Sequence, residues 1–331
     1  ALARLPVDAR RRVTLAGDQP LLASSFHVGV AAQSCVAAAA LAATELDRVR
    51  GGAPRAASVD MHDAERECTG YFHMDSKVPS AWAPLSGLYP CSHGHVRIHA
   101  NFDHHRDGAL ELLGLAGDPA GYEKAHVAEA LQRWTATAFE SQAAKRGLVV
   151  AAARTFGQWD ATPHARAAAT LPLFSIERIG DAVPIQRSTG MHPLSGVRVL
   201  DLTRILAGPV CGRTLANYGA DVLLVNGPHL PNIDSIADTS RGKRSAHVDL
   251  RDPTGQTTLE ALVDDADVFV QGYRPGSLAA RGFSPLALAA RRPGIVAVSL
   301  SAYGQLGPWA NRRGFDSLVQ TATGLNHAEG E

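Results

Sequence analysis

Cysteine is scarce in this chain of 331 residues, and Cys35, Cys68, Cys91 and Cys211 lie far apart. That spacing offers neither a disulfide ladder nor a zinc site, and it fits a reducing cytoplasm. A surplus of either charge is also missing, because 32 Lys and Arg residues balance 32 Asp and Glu residues. With no net field pulling on phosphate backbones or anionic lipid, nucleic acid is not an expected partner. Long apolar runs are absent apart from residues 28–44, which are mostly alanine with Gln33 and Ser34 inside. This stretch is slightly short for a bilayer and reads as a buried helix, so no membrane partner is expected. No apolar segment closely follows Arg4, Arg10, Arg11 and Arg12, so a secretory signal is not supported. The first residue is Ala1 and not methionine, which suggests a trimmed molecule.

What is present suffices for a core. With 45% hydrophobic and 19% charged residues, the chain is long enough for two domains. Residues 180–193, GDAVPIQRSTGMHP, mix glycine, proline and polar residues without a period and read as a linker. The expected boundary lies there, giving domains over 1–190 and 191–331.

After the linker the pattern is regular. Val197 to Leu202 predicts a strand, Pro209 sits in the first turn of a helix to Tyr218, and Asp221 to Val225 predicts a second strand. Asp252 and Pro253 open a helix ending near Asp265, and Val268 to Gln271 follows as a third strand. Ser284 and Pro285 open another helix through Ala290 before a fourth strand, Ile295 to Ser301. Strands and helices alternating at this spacing predict a parallel sheet in an α/β fold, which binds ligands beyond the carboxyl ends of its strands. The loops to watch are therefore TRILAGP, NGPH, GYRPG and SAYGQLGP. A dinucleotide site is disfavoured, because TRILAGP lacks the glycine-rich turn that cradles a pyrophosphate. Arg274, directly after the third strand, either clamps a phosphate or carboxylate or merely caps a helix end or pairs with a nearby aspartate. Position alone leaves both readings open.

The segment from Pro193 to Gly324 resembles the opening half of the class III CoA-transferases, the family of formyl-CoA transferase, carnitine CoA-transferase and α-methylacyl-CoA racemase. The matching phrases include PLSGVRVLDLTRILAGP, YGADVLLV, RGKRSAHVDLRDPTGQ, ADVFVQGYRPGSLAARGFSP and RRGFDSLVQTATG. Residues 1–192 resemble its later half more loosely, through FHVGVAAQSCVAAAALAATEL and WAPLSGLYPCSHGHVRIHANFDHHRDGALELLGL. The resemblance thus implies a Rossmann-like CoA-binding domain preceded by a smaller α+β domain and a helical arm, with the halves in swapped order. It also implies a homodimer, or a pseudo-dimer within one chain, that moves CoA between an acyl-CoA and a carboxylic acid without a metal or redox cofactor.

Carried over position by position, the CoA contacts are Leu206 and Ala207, then Val248, Asp249, Leu250 and Arg251, then Gly272, Tyr273 and Arg274, with Arg313 as a further basic residue. Arg241 and Lys243 stand close in sequence to these and could add positive charge. Gly227 stands where formyl-CoA transferase has an arginine, so one contact is expected to be missing.

Chemistry in this family runs through an aspartate. Its carboxylate attacks the thioester to form a mixed anhydride, CoA thiolate adds back to give an enzyme thioester, and the acceptor acid collects CoA. The resemblance places that aspartate past Glu331, and Val30 occupies the corresponding position in the N-terminal half. Two readings stay open: a piece of a longer polypeptide whose remainder carries the aspartate, or a CoA-binding protein without turnover. Asp201 and Asp316 are the nearest carboxylates, and neither is assigned as nucleophile. Racemases of the family have a histidine where Phe315 stands, and phenylalanine cannot shuttle a proton, which favours CoA transfer while isomerases and lyases of the family stay open. His93, His95 and His99 alternate as on one face of a strand, with His104 and His105 beyond, yet no carboxylate or cysteine completes a metal site. Trp82, Trp134 and Trp159 read as core or interface residues.

Overall fold

A computed structural model describes residues 8–18, 20–70, 72–80 and 82–330. They fall into two units, one drawn from Ala1–Pro79, Arg178–Gly272 and Arg281–Ser299, the other from Ser80–Glu177, Tyr273–Ala280 and Leu300–Glu331.

The first unit begins with β1 (Val13–Ala16), α1 (Val28–Val49), β2 (Ala57–Asp60) and α2 (Met61–Thr69). β1 and β2 pair in parallel, from Val13 opposite Ala57 to Ala16 opposite Asp60. α1 continues past the alanine run because its polar end is neutralised: buried Glu45 meets Arg12 and Arg48, and buried Asp47 meets Arg55. By length and composition α1 could cross a membrane, and 44% of its most apolar stretch is buried. Ala32 and Ala37 pack with Val59 and Ala64, so one side of the helix is covered by β2 and α2. Asp60 caps α2 by accepting from the amide of His62 at 2.9 Å.

In the second unit, β3 (Gly87–Pro90), β4 (His95–Ile98) and β5 (Val150–Ala152) form an antiparallel sheet in the order β3-β4-β5. Around it lie α3 (Asp103–Leu113), α4 (Lys124–Leu131), α5 (Ala136–Lys145), α6 (Phe156–Asp160) and α7 (Pro163–Ala168). Tyr89, Val96, Ile98, Leu110, Leu131 and Phe139 make its main core. Trp134 packs edge-on against Phe139 in that core, with ring centroids 5.5 Å apart.

The first unit resumes with the alternating segment: β6 (Arg198–Leu202), α8 (Ala207–Asn217), β7 (Asp221–Asn226), α9 (Ile236–Thr239), β8 (Arg244–His247), α10 (Pro253–Asp264), β9 (Val268–Gln271), α11 (Pro285–Arg291) and β10 (Val296–Ser299). All five strands are parallel in the order β10-β9-β6-β7-β8, giving the expected α/β sheet. Four strands were legible from their branched apolar residues. β8 was not, because Arg-Ser-Ala-His at a sheet edge stays mostly exposed and carries no apolar alternation. Asp252 caps α10 through the amide of Thr254 at 2.9 Å, and Ser284 caps α11 through that of Ala287 at 3.1 Å.

Two last helices, α12 (Asp316–Thr323) and α13 (Leu325–Glu329), belong to the second unit. Leu318 and Ala322 of α12 are buried against Val149 and Ala151 beside β5.

Candidate functional site

At the carboxyl end of β6 the chain enters a strained turn. Ile205 holds φ at 75°, a left-handed conformation that a β-branched side chain resists. It aims the backbone into α8, whose first turn has no side-chain cap at Leu206. Amide N–H groups at Ala207 and Gly208 therefore open toward the end of the sheet, where an anion would be favoured. The helix lies unusually close: a Cβ on Gly208 would meet that of Thr203 at 2.6 Å, and one on Gly212 would meet Asp201 Oδ2 at 2.0 Å.

Neighbouring strand ends extend this surface. Gly272 N–H donates to Leu202 O at 3.4 Å, and Val248 N–H to Asn226 O at 2.9 Å. Asn226 is 5% exposed, and among the described residues its Oδ1 has no hydrogen-bond partner. Over Gly227 lies the His229 ring, whose Cε1 would be 2.9 Å from an added Cβ. An imidazole thus fills the space beside the residue expected to lack a contact.

The basic residues of this unit differ in what they are free to do. Arg251 donates through Nε and Nη2 to Asp249 at 2.9 and 2.7 Å, and this fork holds the Asp249 carboxyl well below the usual range. Arg241 pairs with Asp238 at 2.9 Å. Lys243 requires a correction. Its ammonium is fully buried, donating to Asp201 Oδ2 at 2.7 Å and Pro209 O at 2.8 Å, so it cannot meet a ligand's phosphate. Asp201 also accepts from the Thr203 amide at 3.1 Å, which makes this carboxylate a fastening for β6 and α8.

Of the residues carried over by resemblance, Leu206, Ala207, Val248, Asp249, Leu250, Arg251 and Gly272 lie in this first unit, while Tyr273, Arg274 and Arg313 lie in the second. There, Arg274 Nη1 reaches Asn311 O at 3.4 Å, and Arg313 Nη1 lies 3.1 Å from His105 Nε2 and 3.4 Å from His104 Nε2. Partial burial, joined by the charge of Arg274, holds Arg313 below its ordinary pKa. Arg274 thus contacts a backbone carbonyl, and among the described residues no carboxylate pairs with it.

The histidines also part company. His95 is exposed on β4 and His93 is exposed before it, whereas His99 is buried and stacks on Phe315 with ring centroids 4.1 Å apart. Among the described residues no group of three or more His, Cys, Asp or Glu side chains is placed to hold a metal. Burial pushes the His99 imidazole from 6.5 down to about 4, a backbone hydrogen bond resists, and the charge of Arg97 adds to the lowering. A depressed folded value means that the unfolded chain takes up the proton first. Stability should therefore fall as pH drops from about 6.5 toward 4, and His99→Phe should flatten that slope in urea titrations across the window.

Neither resident carboxylate is poised as a nucleophile. Asp201 is tied to Lys243, and Asp316, raised by burial, accepts from Gln320 at 2.6 Å. Val30 lies exposed in the first turn of α1.

Residues 194–331 match the profile described as CoA-transferase family III. The chain is similar to an acyl-CoA transferase of Gibberella moniliformis, 31% identical over 254 residues, covering 71% of this chain and 44% of that protein. A succinyl-CoA:glutarate CoA-transferase of Mus musculus is 37% identical over 153 residues, covering 42% of this chain and 35% of the relative. Among solved structures, a CaiB/BaiF family protein from Brucella suis is 34% identical with a TM-score of 0.37, covering 39% of this chain and 38% of that one. The chain thus spans less than half the length of the curated relatives it matches.

Proposed function

We propose that this protein binds CoA thioesters at the carboxyl ends of β6, β8 and β9 and moves CoA from an acyl-CoA to a carboxylic acid. The observation that carries the reading is the family III match over the loops at which a parallel α/β sheet receives its ligands. CoA brings several phosphate charges, and the family resemblance assigns Arg274 and Arg313 to answer them; neither has a carboxylate partner among the described residues. The uncapped first turn of α8 supplies neutral donors for the same purpose. Transfer would run through an aspartyl anhydride and an enzyme thioester, with no metal or redox cofactor, in the cytoplasm, as a homodimer or an intrachain pseudo-dimer.

A second reading, CoA binding without turnover, is favoured by one observation: Asp201 and Asp316 are both engaged by other side chains. Hydroxylamine separates the two, because it traps an acyl-enzyme as a hydroxamate in the presence of acyl-CoA only if a carboxylate of the protein is acylated.

Calorimetric titration with CoA tests the common step. Binding is expected, and Arg274→Ala should weaken it about 10- to 100-fold, the size of a lost charge-assisted hydrogen bond. Absence of binding, or equal affinities for the variant and the parent, would refute the reading.

A further inference from the structure

Arg97 in β4 has a guanidinium that is aimed and left without a counter-charge. Its Nε donates to Thr321 Oγ1 at 2.9 Å, and Thr321 is fully buried. That hydroxyl is itself fixed within hydrogen-bond distance of Ser317 O at 2.7 Å and Asn326 Oδ1 at 2.6 Å. Trp82 lies beneath the guanidinium, whose Cζ is 5.5 Å from the ring centroid. Anchoring through Nε leaves the two terminal nitrogens as a planar fork, the geometry that matches a carboxylate. Burial lowers the Arg97 pKa, a sign that the charge has lost part of its water, yet among the described residues no carboxylate pairs with it. Arg154 and Arg312 in the same unit are also withdrawn from solvent, but both share Glu140.

The surroundings add two features. His99 is 6% exposed, and among the described residues its Nδ1 has no hydrogen-bond partner. Its ring is held flat by the stack on Phe315. Trp82 is 44% exposed, which sets aside a core role and leaves an apolar face open beside the guanidinium. Together the three offer a charged fork, an unsatisfied imidazole and an apolar wall.

We infer that Arg97, with His99 and Trp82, forms a recognition site for a small aliphatic carboxylate, the free acid that exchanges CoA. The fork of Arg97 holds the carboxylate, His99 supplies the buried polar contact, and Trp82 covers the carbon chain. This inference rests on the CoA-transfer reading for the identity of its ligand, but its residues are separate from those assigned to CoA.

Succinate titration of the full chain tests it, with inorganic phosphate and CoA titrated in parallel. Succinate is expected to bind, to protect Arg97 from phenylglyoxal as read by peptide mass spectrometry, and to bind about 10- to 100-fold more weakly to Arg97→Gln. Thr321→Val, which keeps the guanidinium but removes its anchor, should weaken succinate by a smaller factor, and CoA affinity should be unchanged in both variants. Should Arg97→Gln fail to fold, protection in the parent protein and the Thr321→Val titration decide. Failure of succinate to protect Arg97 overturns the inference, and so does phosphate protecting it equally well, which would make this a general anion site. Loss of CoA binding with succinate protection intact would sink the CoA-transfer reading instead, so the two failures are distinguishable.

Discussion

Lys243→Met is expected to destabilise the first unit by about 3–5 kcal/mol, the loss typical when one member of a buried ion pair is removed. The side chains of Lys243 and Asp201 are both fully shielded from solvent. Methionine keeps the length and apolar stem of lysine but leaves Asp201 as an unanswered carboxylate within the fold. Pro209 O loses its donor as well. Gly212 cannot relax the site by shifting α8 inward, because its Cα already borders both charged groups. Urea unfolding followed by peptide-resolved hydrogen exchange over β6 and β7 should register the loss. Exchanging both partners for apolar residues in Asp201→Leu/Lys243→Met should be milder than the single change, since no orphaned charge remains. A single-variant loss under about 1 kcal/mol would show that water reaches Asp201 and that the pair is not sealed.

That pair also marks where sequence reading stops. β6, β7, β9 and β10 announce themselves through Val, Leu and Phe, and Asp252 and Ser284 announce the helices they cap. Nothing local distinguishes Lys243 from the basic residues around it. Only the parallel order, with the turn before β8 returning toward β6 across β7, brings it to an aspartate 42 positions away. Arg251 illustrates the reverse case, where an aspartate two residues earlier occupies the fork that sequence position alone leaves open for a phosphate. The period-two histidines correctly suggested a strand, but β4 ends at Ile98 and the alternation ends with it, so Ile98 and His99 are both buried. Arg97 sits between these histidines, and no short-range signal links it to Thr321, which is 224 residues away. The split of the carried-over residues between two units is likewise a property of packing, because Gly272 and Tyr273 are consecutive in the chain.

Glu140→Ala should cost the second unit about 3–5 kcal/mol through a mechanism of the opposite sign. Here the carboxylate is the shared member: Glu140 is 3% exposed and accepts from Arg154 at 2.9 and 2.5 Å and from the Ala152 amide at 2.9 Å. Arg312 approaches the same carboxylate at 3.8 Å. Its removal leaves two guanidiniums facing one another's charge over one indole, since Arg312 and Arg154 lie 4.0 and 5.1 Å from the Trp309 centroid. Cation–π attraction of roughly 0.5–2 kcal/mol each cannot offset their mutual repulsion and lost pairing. Glu140→Gln, which can still accept from the Ala152 amide, should fall between the alanine variant and the parent in urea titrations monitored by tryptophan emission. Arg154 N–H also donates to Thr321 O at 3.3 Å, so this cluster steadies the residue that anchors Arg97. Glu140→Gln should accordingly weaken succinate while leaving CoA affinity unchanged, a split that a purely global loss of stability would not produce.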